Sequence, residues 1–252
     1  MLPVAPRPGV QGHRGPFRFG RRENKVRRSL FGLLAVVLGL SLVAASCGSD
    51  EDSSTKAAFI YGGPVGDAGW TYAHDQGRQE AAAETGVETA FVETVPEGTA
   101  DFGNYVRDFI DQGFNVIFGT SFGYMDDMEA LAEEFPDVVF DHVSGYKANG
   151  TNFGNSFGRM YEPRYLSGMV AGSATSSNLI GYVAAFPIPE VIRGINAFTL
   201  GVLETNPDAQ VEVVWTSTWF DPVVEGDSAQ ALLDKGADVI AMHQDSTAAG
   251  EK

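Results

Sequence analysis

Compared with itself at a constant offset of 123 residues, the sequence repeats its character. Phe59-Ile60-Tyr61 falls on Tyr182-Val183-Ala184, 87–94 falls on 210–217, and D-Q-G-F-N-V-I (111–117) falls on D-K-G-A-D-V-I (234–240). Chance supplies one such match, because glycine commonly ends a helix ahead of a strand. Three in one register and in the same order predict two similarly built lobes. Within the first, strand-like runs alternate with helical ones: AAFIYG then 71–85, ETAFVET then 101–112, NVIFGTS then 124–135, and VVFDHVS then 160–175. That alternation is the βαβ rhythm of a parallel sheet. Helix 101–112 puts Phe102, Val106, Phe109 and Ile110 on one face and stops at Gly113. In the second lobe Pro189 and Glu190 suit a first helical turn, with Val191, Ile195, Phe198 and Val202 as its buried face. The expected fold is α/β, with lobes at 57–177 and 178–252.

The offset also predicts unequal lobes. Lobe one runs on for 56 residues after Ser121, whereas eight residues follow Gln244, the partner of Ser121. A second lobe truncated at its C-terminus is expected, with an exposed apolar edge, a tendency to aggregate and weakened ligand binding.

Charge is unevenly distributed. Residues 1–46 hold eight Lys/Arg and one acid, leaving nine basic and 32 acidic residues in the remainder. A body near −23 is a poor partner for nucleic acid or anionic lipid. The basic start ends in Arg27-Arg28 and the uncharged run SLFGLLAVVLGLSLVAAS, which reads as an export signal. Its 18 residues just suffice to span a bilayer. Cys47, the sole cysteine, decides against a plain anchor, because it directly follows Ala44-Ala45-Ser46 where a bacterial lipoprotein signal places its lipid-bearing Cys. Residues 47–56 then read as a polar tether, and a single Cys forms no intrachain disulfide.

Two open α/β lobes hold a ligand between the C-terminal ends of their strands. The loop G-G-P-V-G-D-A-G-W (62–70) follows the first strand of lobe one. It has neither G-x-G-x-x-G nor G-K-[ST], and Asp67 would repel a phosphate. It offers instead a carboxylate beside a large aromatic, Asp67 and Trp70, which suits a flat, neutral, hydrogen-bonding ligand. Asp67 also suits a helix N-cap, a role compatible with ligand contact. Other strand ends repeat this chemistry with Phe122 and Tyr124, Phe186, Trp219 and Asp221, and His243-Gln244-Asp245. The joint position of these aromatics and acids predicts a stacking site. No H-E-x-x-H is present, and His74, His142 and His243 fall in different segments without ligand spacing, so no catalytic set, metal site or cofactor is expected.

The stretches G-D-A-G-W-T-Y-A-H-D-Q-G (66–77), G-T-S-F-G-Y-M-D (119–126), A-A-F-P-I-P-E-V-I-R-G-I-N-A-F-T-L-G (184–201) and W-F-D-P (219–222) resemble the basic membrane protein family. This is the purine nucleoside receptor type of substrate-binding lipoprotein serving ABC importers. The resemblance runs from about 57 to the end. It implies a two-lobed periplasmic-binding-protein type I fold that closes over a purine nucleoside or base. It further implies an ABC permease and ATPase as partners, and a lipid anchor on the outer face of the cell membrane. Asp67 matches the family's acid and Trp70 its Phe, while Gly69 and Thr71 stand where the family has Ser and Asn. Phe186 and Trp219 are implied as second-lobe contacts. A same-fold binder of a sugar or signalling molecule, and an enzyme acting on nucleosides, are the alternative readings.

Overall fold

The computed structural model describes residues 54–252. The export signal and Cys47 lie outside them. Both sheets fall within one compact unit, and no helix among the described residues is long and apolar enough to cross a membrane.

The first sheet holds β1 (Lys56–Ile60), β2 (Glu88–Val92), β3 (Val116–Gly119), β4 (Val139–Val143) and β5 (Phe153–Ser156), all parallel in the order β2-β1-β3-β4-β5. The second holds β6 (Leu179–Ala184), β7 (Gln210–Trp215) and β8 (Val239–His243), parallel in the order β7-β6-β8. Shifted by the offset, β2-β1-β3 becomes β7-β6-β8, so the internal repeat extends to topology. It extends to backbone conformation as well. Gly113 and Gly236 turn at φ +87° and +101°, and Thr94 and Ser217 at φ 59° and 57°.

The helices follow from their apolar faces. Helix α1 (Trp70–Thr85) is mostly polar, whereas α2 (Asp101–Asp111) buries Phe102, Val106 and Phe109 against the first sheet. Helix α3 (Met125–Glu134) covers the same core with Met128 and Leu131. In the second lobe α5 (Pro189–Thr205) buries the expected Val191, Ile195, Phe198 and Val202, while α6 (Pro222–Asp234) packs Leu232 and Ala229 on the other face of the sheet.

Two expectations change. The short strand β5 was not legible, because of its residues F-G-N-S only Phe153 is buried. Helix α4 (Tyr161–Ala174), expected in lobe one, packs on α5 of lobe two. A β-carbon on Gly168 would collide with the Phe198 carbonyl, and one on Gly201 with the Tyr165 carbonyl. Glycine alone permits so close a helix crossing. The chain therefore passes between lobes in 157–160, ahead of α4, and not near 177.

Candidate functional site

The loops at the C-terminal ends of both sheets meet around a cavity of about 200 Å³. Lobe one contributes Gly62, Gly63, Trp70, Thr120, Ser121, Phe122 and Ser144; the crossover segment adds Phe157 and Met160. Arg164 of α4 and Glu190 of α5 enter from lobe two, together with Trp219, His243, Gln244 and Asp245.

The first loop is shaped by its carboxylate. Asp67 is 3% exposed. Its Oδ1 accepts from the Gly69 N–H (2.8 Å) and the Tyr72 N–H (2.9 Å), and its Oδ2 from the Thr71 N–H (2.8 Å). Asp67 is thus committed to the start of α1, and it does not line the cavity. Gly62 and Gly63 bring the backbone close behind it: added β-carbons would stand 2.9 Å from Ser121 Oγ and from Thr71 Oγ1. Trp70 opens α1 and its indole N–H donates to the Thr120 carbonyl (2.6 Å), which fixes the ring as a cavity wall 6.1 Å from the Phe157 ring.

After β3, Phe122 faces the cavity but Tyr124 does not. Tyr124 is fully buried, stacked 4.2 Å from Phe102, with its hydroxyl donating to the Val95 carbonyl (2.5 Å). A one-turn 3-10 helix over Phe122–Tyr124 points the two rings in different directions. Ser121 is held from two sides. His142 Nε2 lies 2.8 Å from the Ser121 carbonyl, and Ser121 Oγ donates to Glu97 (2.5 Å).

Across the cleft, Trp219 forms the facing aromatic wall, backed by Phe186 at 5.2 Å. Phe186 supports Trp219 and is outside the cavity lining. Asp221, expected as a ligand contact, is the N-cap of α6: it accepts from the Val223 and Val224 N–H groups (both 3.1 Å), and Glu225 accepts from its own N–H (2.9 Å). That exchange is a reciprocal cap, and Asp221 is outside the cavity lining. Asp245 does line the cavity. Burial, with Asp67, Glu225, Glu190 and Glu97 nearby, pushes its carboxyl up to about 8. Beside it Gln244 donates to Thr216 Oγ1 (2.6 Å) and keeps a buried Oε1 without a partner.

The cavity lining includes residues the strand-end reasoning did not select as contacts, among them Ser144, Phe157, Met160, Arg164 and Glu190. Arg164 donates to the Met242 carbonyl (2.7 Å), so α4 reaches the end of β8. Glu190 pairs with His243 at 3.3 Å. His243 and Gln244 were legible as strand-end residues, whereas Arg164 sits in mid-helix and gives no local signal. Among the described residues no group of three or more His, Cys, Asp or Glu is placed to hold a metal ion.

The family model described as "ABC transporter substrate-binding protein PnrA-like" matches residues 54–251, which is the whole two-lobed body. The chain belongs to this Bmp family. The chain is 45% identical over 219 residues to a purine-binding protein of Brucella abortus, covering 86% of this chain and 61% of that one. It is 47% identical over 205 residues to a protein of Haloferax volcanii named as an ABC transporter glucose-binding protein, covering 80% and 51% respectively. The chain thus spans between about half and three fifths of the length of these relatives. A solved ABC transporter solute-binding protein of Aeropyrum pernix superimposes with a TM-score of 0.69 at 20% identity, over 78% of this chain and 58% of that one. The architecture is that of the periplasmic-binding-protein fold, α/β with parallel sheets in two lobes.

Proposed function

We propose that this Bmp-family protein captures a purine base or nucleoside in its cleft for an ABC importer, tethered outside the cytoplasmic membrane through Cys47. The observation that carries the reading is the pair of aromatic walls, Trp70 with Phe122 on one side and Trp219 on the other, above a hydrogen-bonding end of Gln244 and Asp245. A purine ring fits such a slot, because its faces stack while its edges offer donors and acceptors. The named ligand of the Brucella relative supports the same choice. The acids of the cleft disfavour a phosphorylated nucleotide. In this reading the role is capture, with the permease and ATPase subunits as partners and no chemical step.

A sugar is the second reading, favoured by the name of the Haloferax relative. Sugar sites also combine flat aromatic faces with carboxylates. Calorimetry against purine bases, purine nucleosides and hexoses separates the two. Saturable binding of a purine with no response to hexoses is expected; hexose binding alone reverses the assignment. Conversion of a nucleoside to base during the assay would point to an enzyme. For the anchor, intact mass of membrane-extracted protein is expected to show a lipid-modified Cys47 at the N-terminus, and residues 29–46 still attached would rule this out.

A further inference from the structure

Glu97 lies outside the cavity lining, in the loop after β2, yet it touches two of the cavity's supports. Its Oε1 accepts from Ser121 Oγ (2.5 Å) and from the Gly123 N–H (2.7 Å), the turn that carries Phe122. Its Oε2 faces the indole N–H of Trp219 at 3.4 Å, across the cleft and 122 residues away in sequence. Gly123 makes this possible: a β-carbon there would stand 2.5 Å from the Glu97 carboxyl carbon. The indole N–H only donates, and Glu97 is the acceptor the structure gives it.

We infer that Glu97 is a positioning residue that latches the two lobes, holding Trp219 of lobe two over the ligand from an anchor on lobe one. The inference rests on the binding role proposed for the cleft. Ligand binding and the Glu97–Trp219 contact both belong to the closed arrangement, so each stabilises the other. The carboxylate is the chemistry this needs. Three donors from two directions converge on it, and only a group with two acceptor oxygens serves both sides.

That requirement gives a discriminating variant. In Glu97→Gln the single amide oxygen is expected to face Ser121 and Gly123, which supply two donors. The NH₂ group then meets the Trp219 N–H, donor against donor. The lobe-one turn survives and the latch does not. Affinity for the purine is expected to fall roughly ten-fold, the scale of one hydrogen bond to a charged group. Trp219→Phe keeps an aromatic wall without the N–H, and Glu97→Gln added to Trp219→Phe is expected to cost no more affinity, as coupled residues do in a double-mutant cycle.

A second readout does not need ligand. The indole ¹H–¹⁵N resonance of Trp219, assigned with the Trp219→Phe variant, is expected to shift and to exchange faster with solvent in Glu97→Gln, while that of Trp70 stays in place. An unchanged Trp219 resonance, or additive losses in the cycle, overturns the latch. If the wild-type protein binds none of the probes but the indole resonance responds as stated, the latch stands and the binding reading falls.

Discussion

Gly69, at the start of α1 in lobe one, lies against the backbone of Asp245 in lobe two so closely that a β-carbon on it would stand 2.5 Å from the Asp245 carbonyl oxygen. Real β-carbons do not approach a carbonyl to that distance. The glycine before Trp70 is therefore a contact surface between the lobes as well as the start of a helix. It places the loop G-G-P-V-G-D-A-G-W at the line along which the cleft shuts.

Gly69→Ala tests this contact. One methyl group forces the lobes apart or displaces the loop, and overpacking of this kind costs about 1–3 kcal/mol. The expected outcome is weaker purine binding in calorimetry, by that order, with a small change in the thermal midpoint of the unliganded protein. Unaltered affinity would mean that the two loops do not meet in the bound state.

Trp70→Ala removes a cavity wall and is expected to weaken purine binding by about 1–3 kcal/mol, the range for a lost base stack. Trp70→Phe keeps a stacking face but loses the N–H bond to the Thr120 carbonyl. It is expected to fall between wild type and Ala in the same titration. Equal affinities for all three proteins would remove Trp70 from the site.

Asp67→Ala is expected to act first on stability. Three N–H groups at the start of α1 lose their acceptor. Loss of a capping carboxylate typically costs about 0.5–2 kcal/mol, and one that serves three donors belongs at the upper end. Chemical denaturation measures it. Asp67→Asn, which retains one acceptor oxygen, is expected to recover part of the loss. A direct ligand role without a capping role would give the reverse pattern, with affinity lost and stability kept.

Asp245 predicts a pH dependence. Burial and the neighbouring acids Asp67, Glu225, Glu190 and Glu97 raise its carboxyl from 3.8 to about 8, so between those values the folded protein keeps a proton that the unfolded chain has released. Stability from this group is complete at low pH and declines as pH rises through the window. Thermal midpoints recorded from pH 4 to 8 are expected to fall less steeply in Asp245→Asn than in wild type. Parallel profiles would show that Asp245 is ionised throughout.

Gly201→Ala probes the assignment of α4 to lobe two. The added methyl group meets the Tyr165 carbonyl, a backbone atom that cannot turn aside. A destabilisation of about 1–3 kcal/mol is expected in denaturation. A neutral effect would mean that α4 does not cross α5 at this point.

The sequence by itself determined the βα alternation and the repeat at an offset of 123 residues, with which the orders β2-β1-β3 and β7-β6-β8 of the folded lobes agree. It also determined the buried faces of α2 and α5, and it located the cleft at the strand ends. These follow from period and register, which are local properties of the chain. Tertiary structure alone decided which strand-end side chains face the cavity. Tyr124 and Phe122 are two residues apart, yet a single 3-10 turn sends one into the core and the other to the cavity wall. Asp67 and Asp221 look like ligand acids in sequence, but the free N–H groups of α1 and α6 claim them once those helices form. The lobe to which α4 belongs, the entry of Arg164 and the reach of Glu97 to Trp219 depend on which surfaces meet after folding. Such meetings join residues far apart in sequence, and no local pattern of residue types encodes them.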